Sequence, residues 1–239
     1  TSIENINSLR YLFLPIVVLI SPIILVATQP DLGTALLIAA GGLTVAWLAG
    51  VRVKFFAFSG LAFLALLPIA ISFLKPYQKS RILTFLNPER DPLGAGYQII
   101  QSKIAIGSGG LFGKGFLQGS QSYLDYLPEK HTDFIFTLFS EEFGFFGSLF
   151  ILFLYAIIVW RIVHIGNLTR SNFGKLYCYS FATAFFVYVV VNMMMVLGLL
   201  PIVGSPLPIM SYGGSSMMAI MLGLGIVMSC KVYKDTPVN

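Results

Sequence analysis

Charged residues are scarce in this sequence. Asp, Glu, Lys and Arg make up 10% of its 239 residues, whereas a soluble domain carries roughly 25%. Apolar residues account for 56% of the chain, and the mean hydropathy is +0.84. This composition excludes an ordinary water-soluble domain and predicts an integral membrane protein.

Cysteine is scarce as well. The two cysteines, Cys178 and Cys230, both lie inside apolar segments, which favours small core residues over a disulfide or a metal pair. A signal peptide is also lacking at the start of the chain, which begins with Thr1. We therefore expect either that a preceding segment has been removed or that this is the C-terminal part of a longer protein.

Six apolar segments approach the roughly 20 residues that a membrane-spanning helix needs. They cover residues 11–28, 33–50, 55–74, 134–160, 176–198 and 213–230. The predicted fold class is therefore all-α, a polytopic membrane helix bundle with six transmembrane helices in one membrane domain. Residues 75–133 form a large loop between the third and the fourth span.

The placement of positive charge orients the predicted bundle. Six spans put both termini on one side, and the joints on that side hold Arg10, Arg52, Lys54, Arg161, Arg170, Lys175, Lys231 and Lys234. The opposite joints, residues 29–32 and 199–212, contain no Lys or Arg. The positive-inside rule exempts long loops, so it places both termini in the cytoplasm and the loop 75–133 outside.

The extracytoplasmic loop holds nearly half of the chain's 15 lysines and arginines. Structureless loops of this length are uncommon and usually functional. The apolar residues of 97–110 surround Lys103 in a pattern typical of an amphipathic helix at the membrane interface, so we expect this stretch to pack over the ends of the spans. The glycines from Gly107 to Gly119 predict a flexible connector. A solvated linker is the alternative for the whole loop.

Three acidic residues lie within or beside the apolar segments. Asp31 has no lysine or arginine near it in the sequence, so we expect a cationic partner outside this chain in the intact protein. Glu141 and Glu142 would lie about 12–14 Å along a helix from Asp133. Acids at that depth normally face a bundle interior or an aqueous cavity. These two therefore either line a substrate cavity or pair for structural reasons.

The segment 199–216 is uncharged and rich in proline and glycine. Irregular backbone at membrane depth requires cover by protein or a cavity. The end of the segment, which includes Ser211, Gly213 and Gly214, opens the last span with N–H groups that suit an anion such as a substrate phosphate. The alternative is close packing of small residues against a neighbouring helix.

Five stretches resemble the SEDS family, the shape, elongation, division and sporulation proteins of the bacterial wall. They are QPDLGTALL (29–37), NPERDPLGAGYQIIQSKIAIGSGGLFGKGFLQGSQS (87–122), LPEKHTDFIF (127–136), SEEFG (140–144) and GSPLPIMSYGGSS (204–216). The second stretch is more similar to the elongation branch than to the division branch. Family members usually have ten spans, so the resemblance implies that four more precede these six.

The resemblance implies a peptidoglycan glycosyltransferase of the bacterial cytoplasmic membrane. Its substrate would be lipid II, the undecaprenyl-diphosphate disaccharide-pentapeptide, which it joins into glycan strands during elongation of rod-shaped cells. Its partners would be a class B penicillin-binding protein, which is a transpeptidase, and membrane lipids, but no nucleic acid. No cofactor or metal-ligand cluster is evident, although a divalent cation held by carboxylates and phosphates is compatible with the sequence. The alternatives are a lipid II flippase and a non-catalytic scaffold for the transpeptidase.

The resemblance also places the family's essential aspartate at Asp133. It would act as the base that takes a proton from the acceptor sugar hydroxyl. Asp is equally a favoured N-cap residue at the start of a helix, and the two roles can coexist.

Other polar residues of the loop are candidates for binding the substrate. Lys103, Lys114 and Arg81 could bind the diphosphate, since lysine and arginine donate several hydrogen bonds to phosphate oxygens. Glu129 and Asp125 are candidates for holding a cation or tuning Asp133. His131 is a candidate proton partner, with a solvated interface residue as the alternative.

Overall fold

A computed structural model describes residues 9–29, 31–73, 75–91, 94–120 and 131–234. In these residues we find eight α-helices and no strand, which confirms the all-α class within the described part. The helices are α1 (Leu9–Thr28), α2 (Leu32–Leu48), α3 (Val53–Phe73), α4 (Pro76–Leu86), α5 (Ala95–Gly109), α6 (Ile135–Leu168), α7 (Asn172–Val196) and α8 (Gly214–Val232). A 3₁₀ turn, Pro88–Arg90, precedes α5.

A helix lies at each of the six predicted spans. Among the described residues, α6, α7 and α8 are long and apolar enough to cross a membrane, whereas the apolar stretches of α1 and α2 are shorter, Phe13–Thr28 and Gly33–Leu48. The chain is therefore a multi-pass membrane protein. The count of six spans and the cytoplasmic side of the termini stay predictions.

The chain divides into two compact units, residues 1–80 and residues 81–239. In the first unit, α1 packs against α2. A Cβ atom added at Gly42 would lie 2.1 Å from Leu19 Cδ1, so the glycine allows this close approach. The rings of Trp47 and Phe56 meet edge to face at 5.4 Å and connect α2 with α3.

Asp31 is the N-cap residue of α2. Its carboxylate accepts hydrogen bonds from the Thr34 backbone N–H (3.0 Å) and the Thr34 hydroxyl (2.6 Å). Among the described lysines and arginines of the first unit, none forms an ion pair with it. This cap was not predicted, although an Asp three residues before a Thr at the start of an apolar segment is a signal for it. A cationic partner outside this chain stays a prediction.

The core of the second unit lies where α5 crosses α6 and α7. Its most deeply buried apolar side chains include Phe134, Met195, Val196 and Leu207. Phe134 immediately precedes α6, Met195 and Val196 end α7, and Leu207 lies in the segment that follows. The apolar core therefore fixes the start of α6 against the end of α7.

Helix α5 is the amphipathic helix predicted in the large loop. Ile99, Ser102 and Ala105 recur every three residues and are buried, while Lys103 is exposed. The Ser102 hydroxyl donates to the Val196 carbonyl (2.6 Å) and shares a 2.7 Å hydrogen bond with the Thr137 hydroxyl. The predicted packing of this stretch against the bundle is confirmed.

Helix α6 is broken at Gly144, where φ is 67° and ψ is −160°. A break deprives nearby backbone groups of their helical partners, and the loop after α5 supplies new ones. Four backbone hydrogen bonds of 2.9–3.2 Å run from Lys114 N to Glu141 O, Gly115 N to Glu142 O, Phe145 N to Gly110 O and Phe146 N to Leu111 O. The loop therefore completes the hydrogen bonding of α6.

Glycine is required where the loop and α6 meet. A Cβ atom added at Gly113 would lie 2.0 Å from the Glu142 carbonyl oxygen, and one at Gly109 would lie 2.2 Å from the Ser140 carbonyl oxygen. Gly113 also has a φ of 79°. The prediction of a flexible connector is therefore wrong for this part of the loop, because its backbone is paired with α6.

Substituting Gly113 with alanine should destabilise the protein. Positive φ costs an alanine about 1–2 kcal/mol, and the steric overlap with Glu142 adds to this. We expect the Gly113→Ala variant to lose at least about 2 kcal/mol in denaturant titrations in detergent micelles.

Gly107→Ala is the matched control. Gly107 lies within α5, and no described atom lies within 4 Å of its added Cβ. Alanine is favoured over glycine in a helix by up to about 1 kcal/mol, so this variant should be as stable as the parent or more so. Equal stability of the two variants would contradict the proposed pairing.

Candidate active site around Asp133

The segment 197–213 connects α7 to α8 without regular structure. Gly198, Gly204 and Ile209 have positive φ angles of 68°, 75° and 69°. Ser205 and Leu207 are buried, and Tyr155 donates its hydroxyl to the Pro208 carbonyl at 2.6 Å. Protein therefore covers this irregular backbone, as predicted.

Asn192 joins this segment to the residues that precede α6. It is fully buried, and its Nδ2 atom donates to the carbonyl of Asp133 (2.8 Å) and to the carbonyl of Ser205 (2.7 Å). The main chain of Asp133 is thereby held by an amide from α7.

Ser211 makes a second connection. Its hydroxyl donates to the Thr132 carbonyl at 2.6 Å and accepts from the Leu207 N–H at 2.7 Å. The Tyr212 N–H donates to the His131 carbonyl at 2.9 Å. The Ser211 hydroxyl therefore holds this segment to the residues that precede α6. The substrate contact predicted for it stays a prediction.

The Asp133 side chain is half-buried beside Gly204. A Cβ atom added at Gly204 would lie 3.5 Å from Asp133 Oδ2, in van der Waals contact. The N-cap residue of α6 is Phe134, with no capping hydrogen bond from its side chain. The interpretation of Asp133 as the N-cap is therefore wrong by one residue. The carbonyl of Phe134 accepts the first hydrogen bonds of α6, from the N–H groups of Thr137 and Leu138.

Two of the predicted cations contact the same segment. A Cβ atom added at Gly198 would lie 2.4 Å from Lys103 Cε and 2.8 Å from Lys103 Nζ, so the lysine side chain lies against this glycine. Arg81 donates from Nη1 to the Ile202 carbonyl at 3.3 Å.

Asp133, Lys103 and Arg81 therefore all contact the stretch from Gly198 to Gly204. A carboxylate can accept a proton, and the two cations can hold an anionic group. Three of the residues singled out in the sequence thus contact one connecting segment.

Gly213 and Gly214 lie at the start of α8. Gly213 is the N-cap residue, and its carbonyl accepts from the Met217 N–H and the Ser216 hydroxyl, both at 3.0 Å. No described atom lies within 4 Å of a Cβ added at Gly214, so close helix packing does not explain this glycine. The anion contact of these residues stays a prediction.

Lys114 belongs to a different cluster. Its Nζ atom lies 2.7 Å from Oε1 of the fully buried Glu141 and donates to the Ser120 hydroxyl at 2.8 Å. Ser120 and Ser108 also donate to Glu141, at 3.0 and 3.5 Å. These contacts do not bring Lys114 to the segment around Asp133, and they confirm the structural pairing that was one of two alternatives for Glu141.

Of the other acidic candidates, the structure describes Glu142 only. Glu142 is buried and forms no ion pair within the described residues, and its carbonyl accepts from Gly115 at the α6 break. Asp125 and Glu129 lie outside the described residues. The side chain of His131 is exposed.

The buried polar residues that assemble the site were not predicted from the sequence. Asn192 is the only polar residue of the run VVVNMMMV (189–196), and a lone amide in such a run needs hydrogen-bond partners. That signal could have identified it. Ser102 and Thr137 carry no comparable signal, since short hydroxyl side chains are common in membrane helices.

The ion pair of Lys114 predicts an effect on stability. In Lys114→Gln, the buried Glu141 carboxylate would lose its cation, and we expect a loss of about 2 kcal/mol or more in denaturant titrations in micelles, reduced somewhat by the partial exposure of the lysine. The double variant Lys114→Gln/Glu141→Gln should recover much of this loss, because no unpaired charge remains. A double variant as unstable as the sum of both single variants would rule out the pairing.

Comparison with known proteins identifies similar chains. The chain is 47% identical over 228 residues to the peptidoglycan glycosyltransferase MrdB of Escherichia coli K12, covering 95% of this chain and 62% of that protein. A chain in a solved peptidoglycan synthase complex, described for its coordination of polymerization and crosslinking, aligns with a TM-score of 0.71 at 36% identity, over 95% of this chain and 62% of its own length. The rod shape determining protein RodA of Thermus thermophilus aligns with a TM-score of 0.63 at 27% identity, over 98% and 61%.

The chain spans about three fifths of the length of these relatives. The model of the cell cycle protein family of FtsW, RodA and SpoVE matches residues 3–236. This match covers nearly the whole chain and confirms the resemblance seen in its motifs: the chain belongs to the family of FtsW, RodA and SpoVE cell cycle proteins.

Proposed function

We propose that the intact protein is a peptidoglycan glycosyltransferase that polymerises lipid II during cell elongation. The relatives named for this activity support the reaction class. The observation that carries the proposal is the contact of one carboxylate and two cations with a single stretch of backbone. Asp133 lies beside Gly204, Arg81 donates to Ile202, and Lys103 lies against Gly198.

Asp133 acts as the general base. It accepts the proton of the acceptor sugar hydroxyl while that oxygen attacks the anomeric carbon of the donor. The bond from this carbon to the diphosphate breaks at the same time, and undecaprenyl diphosphate leaves. The hydrogen bond from Asn192 to the Asp133 carbonyl fixes the base without using its carboxylate.

Lys103 and Arg81 stabilise the leaving diphosphate. Negative charge develops on the diphosphate as its bond to the sugar breaks, and cations already in place lower the energy of that state. Both side chains contact the connecting stretch that Asp133 also contacts, at Gly198 and Ile202, which supports their assignment to the leaving group of the same reaction. The N–H groups at the start of α8 are further candidates for a phosphate contact.

A divalent cation would rely on the substrate for ligands. Within the described residues, no group of three His, Cys, Asp or Glu side chains could hold a metal ion. Oxygen is the ligand that Mg²⁺ prefers, and here the diphosphate would supply most of it. Such an ion would add positive charge at the leaving group.

The proposed partner is a class B penicillin-binding protein that crosslinks the new strands. Support comes from the synthase complex that contains a similar chain. We place the protein in the bacterial cytoplasmic membrane with both termini of this chain in the cytoplasm and the Asp133 site on the outer face, as the distribution of Lys and Arg indicates.

Polymerisation of labelled lipid II by the purified full-length protein separates the candidate functions. Glycan strands support the glycosyltransferase. Movement of lipid II across vesicle membranes without polymer supports a flippase instead. If neither polymer nor movement is observed, the result supports a scaffold. Ionisable groups of a transporter would concentrate near the membrane midplane, whereas Asp133, Lys103 and Arg81 contact the segment that connects α7 to α8.

Asp133→Asn should abolish polymerisation in the full-length protein. Asparagine keeps the shape of the side chain but accepts no proton at neutral pH, so we expect a rate loss of at least about 100-fold. Folding should be unchanged, because α6 is capped at Phe134. Strand length and rate would be followed by gel electrophoresis of labelled products.

Asp91→Asn is the control for this variant. Asp91 accepts a hydrogen bond from the Ala95 N–H at the start of α5 (2.9 Å), which asparagine can replace. Its activity should match that of the parent. Normal polymerisation by Asp133→Asn would show that the base is another residue.

Lys103→Gln should weaken lipid II binding. A hydrogen bond to a charged group contributes about 1.5–3 kcal/mol, so its loss should raise the dissociation constant on the order of 10- to 100-fold. Thermal stability should be unaffected, since the side chain is exposed. Lys79→Gln, at an exposed position of α4, is the control. An unchanged dissociation constant for Lys103→Gln would remove this residue from the diphosphate site.

A further inference from the structure

The loop that follows α5 and contains Lys114 has exposed apolar side chains. Within Leu111–Leu117, which we name the anchor loop, the exposed fractions are 60% for Leu111, 79% for Phe112, 68% for Phe116 and 70% for Leu117. Four large apolar side chains in seven residues form an exposed patch, and such patches mark a surface that contacts something apolar.

The hydrogen bonds at the α6 break determine the depth of this loop in the membrane. Residues 145–160 of α6 are uncharged and end at Trp160, next to Arg161. Tryptophan and arginine in this order are typical of the boundary between lipid tails and headgroups. Sixteen helical residues rise about 24 Å, which is less than the roughly 30 Å of the hydrocarbon core. The break at Gly144 therefore lies about 6 Å inside the opposite boundary, and the anchor loop is paired with it.

The exposed side chains of the anchor loop continue an apolar face of α6. The Phe112 and Phe146 rings have centroids 5.4 Å apart, and those of Phe116 and Phe143 lie 6.3 Å apart. Phe146 and Phe143 are themselves exposed, so the loop widens a surface that faces lipid along the helix.

The polar groups of the loop are compatible with this depth. Its one charged residue, Lys114, is paired with Glu141, and the N–H groups of Lys114 and Gly115 are bonded to α6. Unpaired charges and unpaired backbone groups are what lipid tails exclude. With this charge and these N–H groups bonded to α6, the side chains that the loop exposes are mainly apolar.

We propose that the anchor loop inserts its Leu111, Phe112, Phe116 and Leu117 side chains among the acyl chains of the leaflet at the Asp133 end of α6. The loop thus re-enters the membrane and does not lie above it. Because its backbone is bonded to α6 and continues from α5, the insertion holds α5 and Lys103 at a fixed height above the lipid tails. This proposal does not depend on the proposed catalytic activity.

Nitroxide labels would measure the environment of the loop directly. In the full-length protein, Cys178 and Cys230 are replaced by alanine, and a single cysteine is introduced by Phe112→Cys or Leu117→Cys. Both side chains are exposed, so the label should leave the fold intact. The labelled protein is placed in lipid nanodiscs, and the collision rates with oxygen and with water-soluble Ni-EDDA are recorded. Glu89→Cys, in the exposed 3₁₀ turn, gives the aqueous reference, and a doxyl-labelled lipid gives the hydrocarbon reference.

We expect both loop positions to match the lipid reference, with frequent collisions with oxygen and few with Ni-EDDA. Values like those at Glu89 would overturn the proposal, since they would place the loop in water. Low accessibility to both reagents would overturn it as well, since protein would then cover the loop in place of lipid. The use of two positions keeps the result interpretable if one label perturbs its surroundings.

Discussion

The structure depends on one constraint: backbone N–H and C=O groups that lack helical partners at membrane depth must form hydrogen bonds elsewhere. The second unit contains two departures from regular helix near the membrane, at Gly144 and between α7 and α8. Each unpaired N–H or C=O group at such a depth costs several kcal/mol. One break is completed by a loop from elsewhere in the chain, and the other is held by the amide of Asn192 and the hydroxyl of Ser211.

This constraint also explains how the candidate active site is assembled. The two carbonyls bonded by Asn192 belong to Asp133 and Ser205, which are distant in sequence but adjacent in the site. The buried amide of Asn192 thus positions Asp133 through the backbone carbonyl of that residue. Such support keeps catalytic groups in place before the substrate arrives, which is how enzymes lower the reorganisation needed for reaction.

Three cations of the second unit have two different roles. Lys114 neutralises the buried Glu141 and sits on the loop that completes α6, so its charge contributes to architecture. Lys103 and Arg81 contact the stretch beside Asp133 and are partly or largely exposed, which leaves them available to an anionic substrate. The difference lies in burial and not in residue type, because a buried charge needs a fixed partner whereas an exposed one does not.

The sequence by itself determined the apolar helices and the membrane class, because hydropathy over about 20 residues reports the solvent around a segment. It also indicated α5, since apolar residues surround Lys103 in the stretch 97–110, and it singled out Asp133 through a motif. Only the tertiary structure decided which glycines are ordered, which lysine is committed to an ion pair and where α6 is capped. These outcomes depend on contacts between residues far apart in the chain, such as Gly113 with Glu142 and Lys103 with Gly198, and local patterns carry no information about such distances.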